Sequence, residues 1–97
     1  MAVMMQMTWD GIGLEEYEAA RKHVNWEGDV PPGAMFHVVA ATDSGVRVTD
    51  VWESAEAFDA FVRDRLMPGI QELGIPREPQ VEILPAHAVF NPGVDRV

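Results

Sequence analysis

The stretch AMFHVVAATDSGVRVTDVW, Ala34 to Trp52, constrains the chain most. Residues 34–41 read as a strand, TDSG as a turn, and residues 46–52 as the returning strand. Strands joined by so short a turn run antiparallel. A helical pattern lies on each side of this hairpin. Upstream, Leu14, Tyr17 and Val24 fall at helical spacings, with Glu15, Glu16 and Glu18 in the first turns, where the helix dipole favours acids. That helix ends near His23 to Asn25, and NWEGDVPPG is a loop because Pro31, Pro32 and Gly33 forbid a helix. Downstream, VTDVWESAEAFDAF passes from strand to helix at once, with Ser54 as N-cap and Glu56 in the first turn. Phe58, Phe61, Val62 and Leu66 repeat at i, i+3, i+4 and i+8, one apolar face. Pro68-Gly69 interrupts this helix, and IQELG makes one further turn, stopped by Gly74 and Pro76.

Two outer strands complete the order. Residues 2–9 alternate Gln6 and Thr8 against Met5, Met7 and Trp9, and DGIG breaks the run. Residues 79–90 form a last apolar strand, kinked or bulged at Pro85. The order β-α-β-β-α-β predicts an α+β, ferredoxin-like fold on a four-stranded antiparallel sheet. At 97 residues the chain has core enough for one domain, taken as 1–97.

Composition acts mainly by exclusion. Sixteen acidic against seven basic residues give −9, with no Lys/Arg cluster, so nucleic acid is not an expected partner. The absence of cysteine removes disulfides, thiolate zinc sites and a cysteine nucleophile. MAVMMQMTW lacks a basic start and a small-residue cleavage site, and no apolar run reaches the ~20 residues of a membrane span. A cytoplasmic protein without a membrane partner is the expectation. No Gly-rich phosphate loop and no G-x-S-x-G elbow is present. Three histidines without local ligand spacing point to no metal site.

The hairpin carries the candidate chemistry. An even loop pairs position 41 with 46, and therefore 37 with 50, so His37 and Asp50 stand opposite each other on one face. Directly opposed Cβ atoms lie ~4.5–5.5 Å apart, which brings imidazole and carboxylate into hydrogen-bonding range. Met35, Val39, Val48 and Trp52 share that face by the period of two, and an odd loop or a bulge would shift the register. A carboxylate that orients an imidazole inside apolar walls is the arrangement of many general-base sites. The same pair is also what a half-buried sheet keeps when each partner alone would be costly.

Other residues are weighed on the same terms. His87, among Val81, Ile83 and Val89, points either into the same cavity or towards a partner subunit. His23 reads as a surface residue at a helix C-terminus, Arg47 as a surface or interface charge, and Tyr17 as core. The methionines at 4, 5 and 7 fill a core. Trp26 is a lid or dimer-contact candidate. A sheet with helices on one face leaves its other face apolar. Val3, Phe36, Val38 and Val51 are candidates for it, to be buried by stacking two sheets in a homodimer.

The element order, the DVWESAEAFDAF junction and the LMPGIQELGI segment resemble the dimeric α+β barrel superfamily over nearly the whole chain. More narrowly they resemble small actinobacterial relatives of the antibiotic biosynthesis monooxygenase family. The resemblance implies a homodimer of two sheets and a cofactor-independent monooxygenase-like activity. Trp52 matches a Trp that aromatic monooxygenases of the superfamily place at the end of strand three, facing the cavity. Val48 stands where the best-known members have Asn, four residues earlier. Haem-degrading members use a strand-one Asn, a second-helix Trp and a following His. Here these positions hold Gln6 and Phe61 and no His follows in the region of that helix, which argues against haem degradation.

The expected function is therefore monooxygenase-like chemistry, without cofactor, on a small hydrophobic or aromatic, polyketide-like substrate held between sheet and helices. His37 and Asp50 are the catalytic candidates. Trp52, Met35, Val39, Phe58, Phe61 and His87 are the substrate-binding candidates, with Leu66 also closing the cavity. The alternatives are a cyclase or isomerase using His37 as general base, and a non-catalytic dimer that binds a small ligand.

Overall fold

Alternation builds the first strand. In β1 (Val3–Asp10) every second residue is apolar and buried: Val3, Met5, Met7 and Trp9. The computed structural model describes residues 1–76 and 78–92. Within them β1 is followed by α1 (Leu14–Val24), the hairpin β2 (Ala34–Ala41) and β3 (Gly45–Trp52), α2 (Ala55–Phe61), α3 (Met67–Leu73) and β4 (Gln80–Pro85). The four strands form one antiparallel sheet in the order β2-β3-β1-β4. This is the ferredoxin-like α+β arrangement expected from the sequence.

Cross-strand register sets what shares a face. On the inner face, against the helices, one row reads His37, Asp50, Met5, Ile83 across all four strands, and the next reads Val39, Val48, Met7, Val81. On the outer face Phe36, Val51, Met4 and Leu84 form an apolar row. Phe36, Val38 and Val51 are thus outer-face residues as expected. Val3 is not, because it pairs with Trp52 and is buried among the core residues. The hairpin turn brings β1 and β3 very close at Gly45, whose Cβ, were there one, would lie 2.1 Å from the Trp9 carbonyl oxygen. Only glycine fits such an approach.

The α1 helix starts where Glu16 accepts from the Gly13 N–H at 2.8 Å and ends at Asn25, a left-handed residue at φ 58°. Tyr17, Ala20 and Val24 form its buried stripe, while Leu14 is half exposed in the first turn rather than in the core. Ser54 caps α2 by accepting from the Ala57 N–H at 3.1 Å.

Two sequence expectations change. Pro68-Gly69 does not interrupt the second helical segment. A π-helical turn over Val62–Leu66 joins α2 to α3, with the Met67 N–H bonding the Val62 carbonyl, so the chain stays helical through Pro68-Gly69. The last strand stops at Pro85 instead of running to residue 90, because proline removes a ladder donor. The Ala86 N–H still bonds the Ala2 carbonyl, 2.9 Å, and beyond it Val89 and Phe90 are exposed.

Candidate functional site

Asp50 is the point from which the site is built. It lies on the inner face of a central strand and is only 6% exposed, the single charged side chain buried in the core among the described residues. A carboxylate in such a place must have partners. The Trp52 indole Nε1–H donates to its Oδ2 at 3.0 Å. Its Oδ1 lies 2.6 Å from Nδ1 of His37, directly opposite on β2. The expected register is present: Ala41 pairs with Val46, and His37 with Asp50.

The chain of contacts runs one step further than the sequence reading. His37 Nε2 lies 2.6 Å from the Tyr17 hydroxyl, which reaches it from α1. With Oδ1 of Asp50 as acceptor, Nδ1 carries the ring proton, so neutral Nε2 accepts and the Tyr17 O–H donates. Tyr17 is 3% exposed. Burial pushes its hydroxyl pKa up to about 12; neighbouring Arg21 opposes this, while the carboxylates of Glu18, Asp50 and Glu27 add to it. Tyr17 is a core residue, as the sequence indicates, and its hydroxyl contact with His37 is what the sequence reading lacks. A tyrosine on the buried stripe of an amphipathic helix needs a partner for its hydroxyl, and that was the available signal.

These groups border a cavity of about 330 Å³ between the inner sheet face, α1 with the loop after it, and α2. That volume lies in the range of small-molecule sites. Trp52 forms its floor beside Phe58 and Phe61, with ring centroids 5.5 and 5.4 Å away. Trp26, from the loop after α1, closes it by packing on His37 at 5.4 Å, Tyr17 at 5.9 Å and Phe61 at 6.4 Å. Its role as a wall residue could not be chosen from the sequence over a dimer contact. The loop returns to β2 at Gly33, whose φ of 88° and lack of Cβ let it pass Ala57.

Arg65, in the π-helical turn, fastens the start of that loop. It donates to the carbonyls of Val24 at 2.9 Å and Asn25 at 3.4 Å, at the C-terminus of α1, and its guanidinium sits 5.7 Å from the Phe61 ring centroid. Arg21 bonds both Glu27 and, at 3.2 Å, Glu18 on the outside of the same loop.

Of the residues singled out in the sequence, His37, Asp50, Trp52, Met35, Phe58, Phe61 and Leu66 all border the cavity. Met35 does so by a different route. A bulge between Ala34 and Phe36 lets Ala34 face Trp52, so Met35 is an extra residue, half exposed at the rim. Val39 packs against the core beyond the cavity wall. His87 is exposed after the end of β4 and does not border the cavity, because the strand stops at Pro85. His23 pairs with Glu72 on the surface at 3.0 Å. Among the described residues no group of three or more His, Asp or Glu side chains could hold a metal ion, and no helix is long and apolar enough to cross a membrane.

No family model matches the chain, and no curated protein matches it in sequence. Solved structures do match in fold. The cofactor-independent oxygenase SnoaB of Streptomyces nogalater superposes with a TM-score of 0.61 at 16% identity, over 91% of this chain and 93% of that one. A provisionally assigned antibiotic biosynthesis monooxygenase of Deinococcus radiodurans gives 0.66 at 13% identity, over 94% and 97%. The haem degrader MhuD of Mycobacterium tuberculosis gives 0.56 at 17% identity, over 92% and 99%. The chain therefore shares the fold of antibiotic biosynthesis monooxygenase-like proteins, and at these identities the likeness concerns fold alone.

Proposed function

We propose that the chain is a monooxygenase-like enzyme that needs no bound cofactor and acts on a small hydrophobic or aromatic molecule in the cavity above Trp52. The observation that carries this reading is the His37–Asp50 contact, 2.6 Å long, facing a cavity walled by aromatic side chains. An imidazole held by a buried carboxylate is equipped to accept a proton. Removing a proton from an aromatic hydroxyl makes the ring electron-rich, and that form reacts with dioxygen directly. The fold shared with SnoaB supports the oxygenase direction.

A second reading keeps the proton transfer and drops the oxygen. Val48, buried on the face that carries Asp50 and Trp52, offers no amide at the position where the best-known members of the resembled family carry Asn. In this reading His37 serves a cyclase or isomerase. Oxygen consumption separates the two. Hydroxylated naphthalenes and hydroquinones are supplied to the protein under air, with an oxygen electrode as readout. Accelerated uptake that disappears in Asp50→Asn supports oxygenation. Consumption of substrate without oxygen uptake replaces it with the second reading, and no turnover of any kind leaves a ligand-binding protein.

The protein is further proposed to work as a homodimer, its outer sheet face covered by a second copy. The row Phe36, Val51, Met4 and Leu84 supports this.

A further inference from the structure

Both ring nitrogens of His37 are already engaged. Nδ1 faces Asp50 and Nε2 faces the Tyr17 hydroxyl, each at 2.6 Å. A substrate cannot reach Nε2 without displacing Tyr17. The Tyr17 oxygen is placed differently. A hydroxyl has one proton to donate and two lone pairs to accept with. Its proton is committed to His37, and among the described residues nothing donates to it. Tyr17 borders the cavity, under Trp26.

From this geometry we infer that Tyr17, not His37, is the catalytic residue that takes the proton from the substrate, and that His37 and Asp50 act through it. The inference rests on the reading of the cavity as a deprotonating site. The step balances within the residues present. A substrate hydroxyl donates to the Tyr17 oxygen. As its O–H bond breaks and a new O–H forms on Tyr17, the proton already on Tyr17 passes to Nε2 of His37. The products are a substrate oxyanion, a neutral Tyr17 that donates to it, and an imidazolium whose Nδ1–H rests on the Asp50 carboxylate. The buried negative charge of Asp50 then stands beside a positive one, while Tyr17 and the cavity hold the oxyanion.

Two further observations agree. Burial keeps Tyr17 protonated up to about 12, so a preformed tyrosinate is not the resting base and the hydroxyl has to relay. The ionisable side chains that border the cavity are His37, Tyr17, Asp50 and Glu27, with no lysine or arginine among the described residues. Such a site takes a neutral, protonated substrate rather than one that arrives as a carboxylate.

The probe that tests this is 4-nitrophenol, whose ionised form is coloured, at a pH where the free probe is mostly protonated. Binding is followed by tryptophan quenching and ionisation by absorbance. The wild type is expected to bind the probe and raise its ionised fraction severalfold. Tyr17→Phe, which keeps the ring in the core, is expected to bind with the ionised fraction of free probe. Equal ionisation in Tyr17→Phe overturns the inference and makes His37 the contacting base. A wild type that does not bind the probe, or binds it un-ionised, fails the cavity reading itself, and the inference falls with it. Tyr17 is the only tyrosine, so its ring Cζ resonance in ¹³C-tyrosine-labelled wild type gives a check without substitution. It is expected to shift on probe binding, and a resonance that stays in place overturns the inference even if Tyr17→Phe fails to fold.

Discussion

Trp52 donates its indole N–H to Asp50 two residues earlier on the same strand face, 3.0 Å, while the other oxygen of that carboxylate faces His37. Residues i and i+2 of a strand point the same way, so this contact is local. It aims Asp50 at β2 and leaves Oδ1 to the imidazole. The site is therefore assembled by one strand, β3, and only completed by its neighbours.

Asp50→Ala removes the acceptor of both donors. The buried indole N–H is then left without a partner, which costs ~1–3 kcal/mol. Asp50→Asn keeps an oxygen for Trp52 and is expected to cost less. Its amide also presents an N–H to Nδ1 of His37, which turns the ring to the tautomer that donates from Nε2 and reverses the Tyr17 bond. Urea denaturation of the three proteins checks the order wild type, Asn, Ala. An Ala variant as stable as the wild type would mean that the Trp52 and His37 contacts carry no weight.

The single tyrosine makes pH a clean variable. Tyr17 is expected to titrate near 12 in the folded protein, against about 10 once unfolded. The folded state thus holds the proton more tightly. Its contribution to stability is complete below pH ~10, declines as pH rises through the interval, and is gone above the folded-state value. Absorbance of the tyrosinate band, followed in native buffer and in denaturant, should give two separate midpoints. Coincident midpoints would show that the hydroxyl is not buried.

Arg65 holds the loop that carries Trp26 from outside. Arg65→Ala removes two bonds to the C-terminal carbonyls of α1 and the contact with Phe61. A loss of about 1 kcal/mol in stability is expected, of the size of a helix-end or exposed cation–π contact. The more telling effect is local. Amides of the loop between Asn25 and Gly33 should exchange faster with deuterium while those of β1 and β3 are unchanged. Equal loop protection in the two proteins would show that Trp26 is held by its ring contacts alone.

The legible part of this molecule is what short-range periodicity controls. The hairpin turn has an even loop, so counting back from Ala41 and Val46 places His37 opposite Asp50. Helical spacing alone puts Phe58, Phe61 and Leu66 on one apolar face. Three features lay beyond that reach. The bulge at Met35 depends on how the chain leaves Gly33 past α2, a tertiary constraint. The Pro68-Gly69 pair reads as a break, and only the π-helical turn before it keeps the axis continuous. Tyr17 meets His37 across 20 residues of chain and between two different elements, so its hydroxyl partner is set by how α1 lies on the sheet.

The outer sheet face leads to the last prediction. Phe36, Val51, Met4 and Leu84 run as one unbroken apolar row over four strands, while the next two rows on one side of it carry Val38, Thr49, Gln6 and Glu82, then Ala40, Arg47, Thr8 and Gln80. An apolar band that gives way to mostly polar rows on one side is what two stacked copies would bury, with those polar residues at the rim. Val51 sits on a central strand of that row, so Val51→Lys places a charge in the middle of the proposed interface. On the isolated sheet the same lysine is only a surface residue, and its effect on the folded monomer should stay within ~0.5 kcal/mol. The expected outcome is a dimer for the wild type in sedimentation velocity at micromolar concentration and a folded monomer for Val51→Lys, with circular dichroism unchanged. A wild type that sediments as a monomer removes the homodimer, and a Val51→Lys that remains dimeric moves the interface to another face.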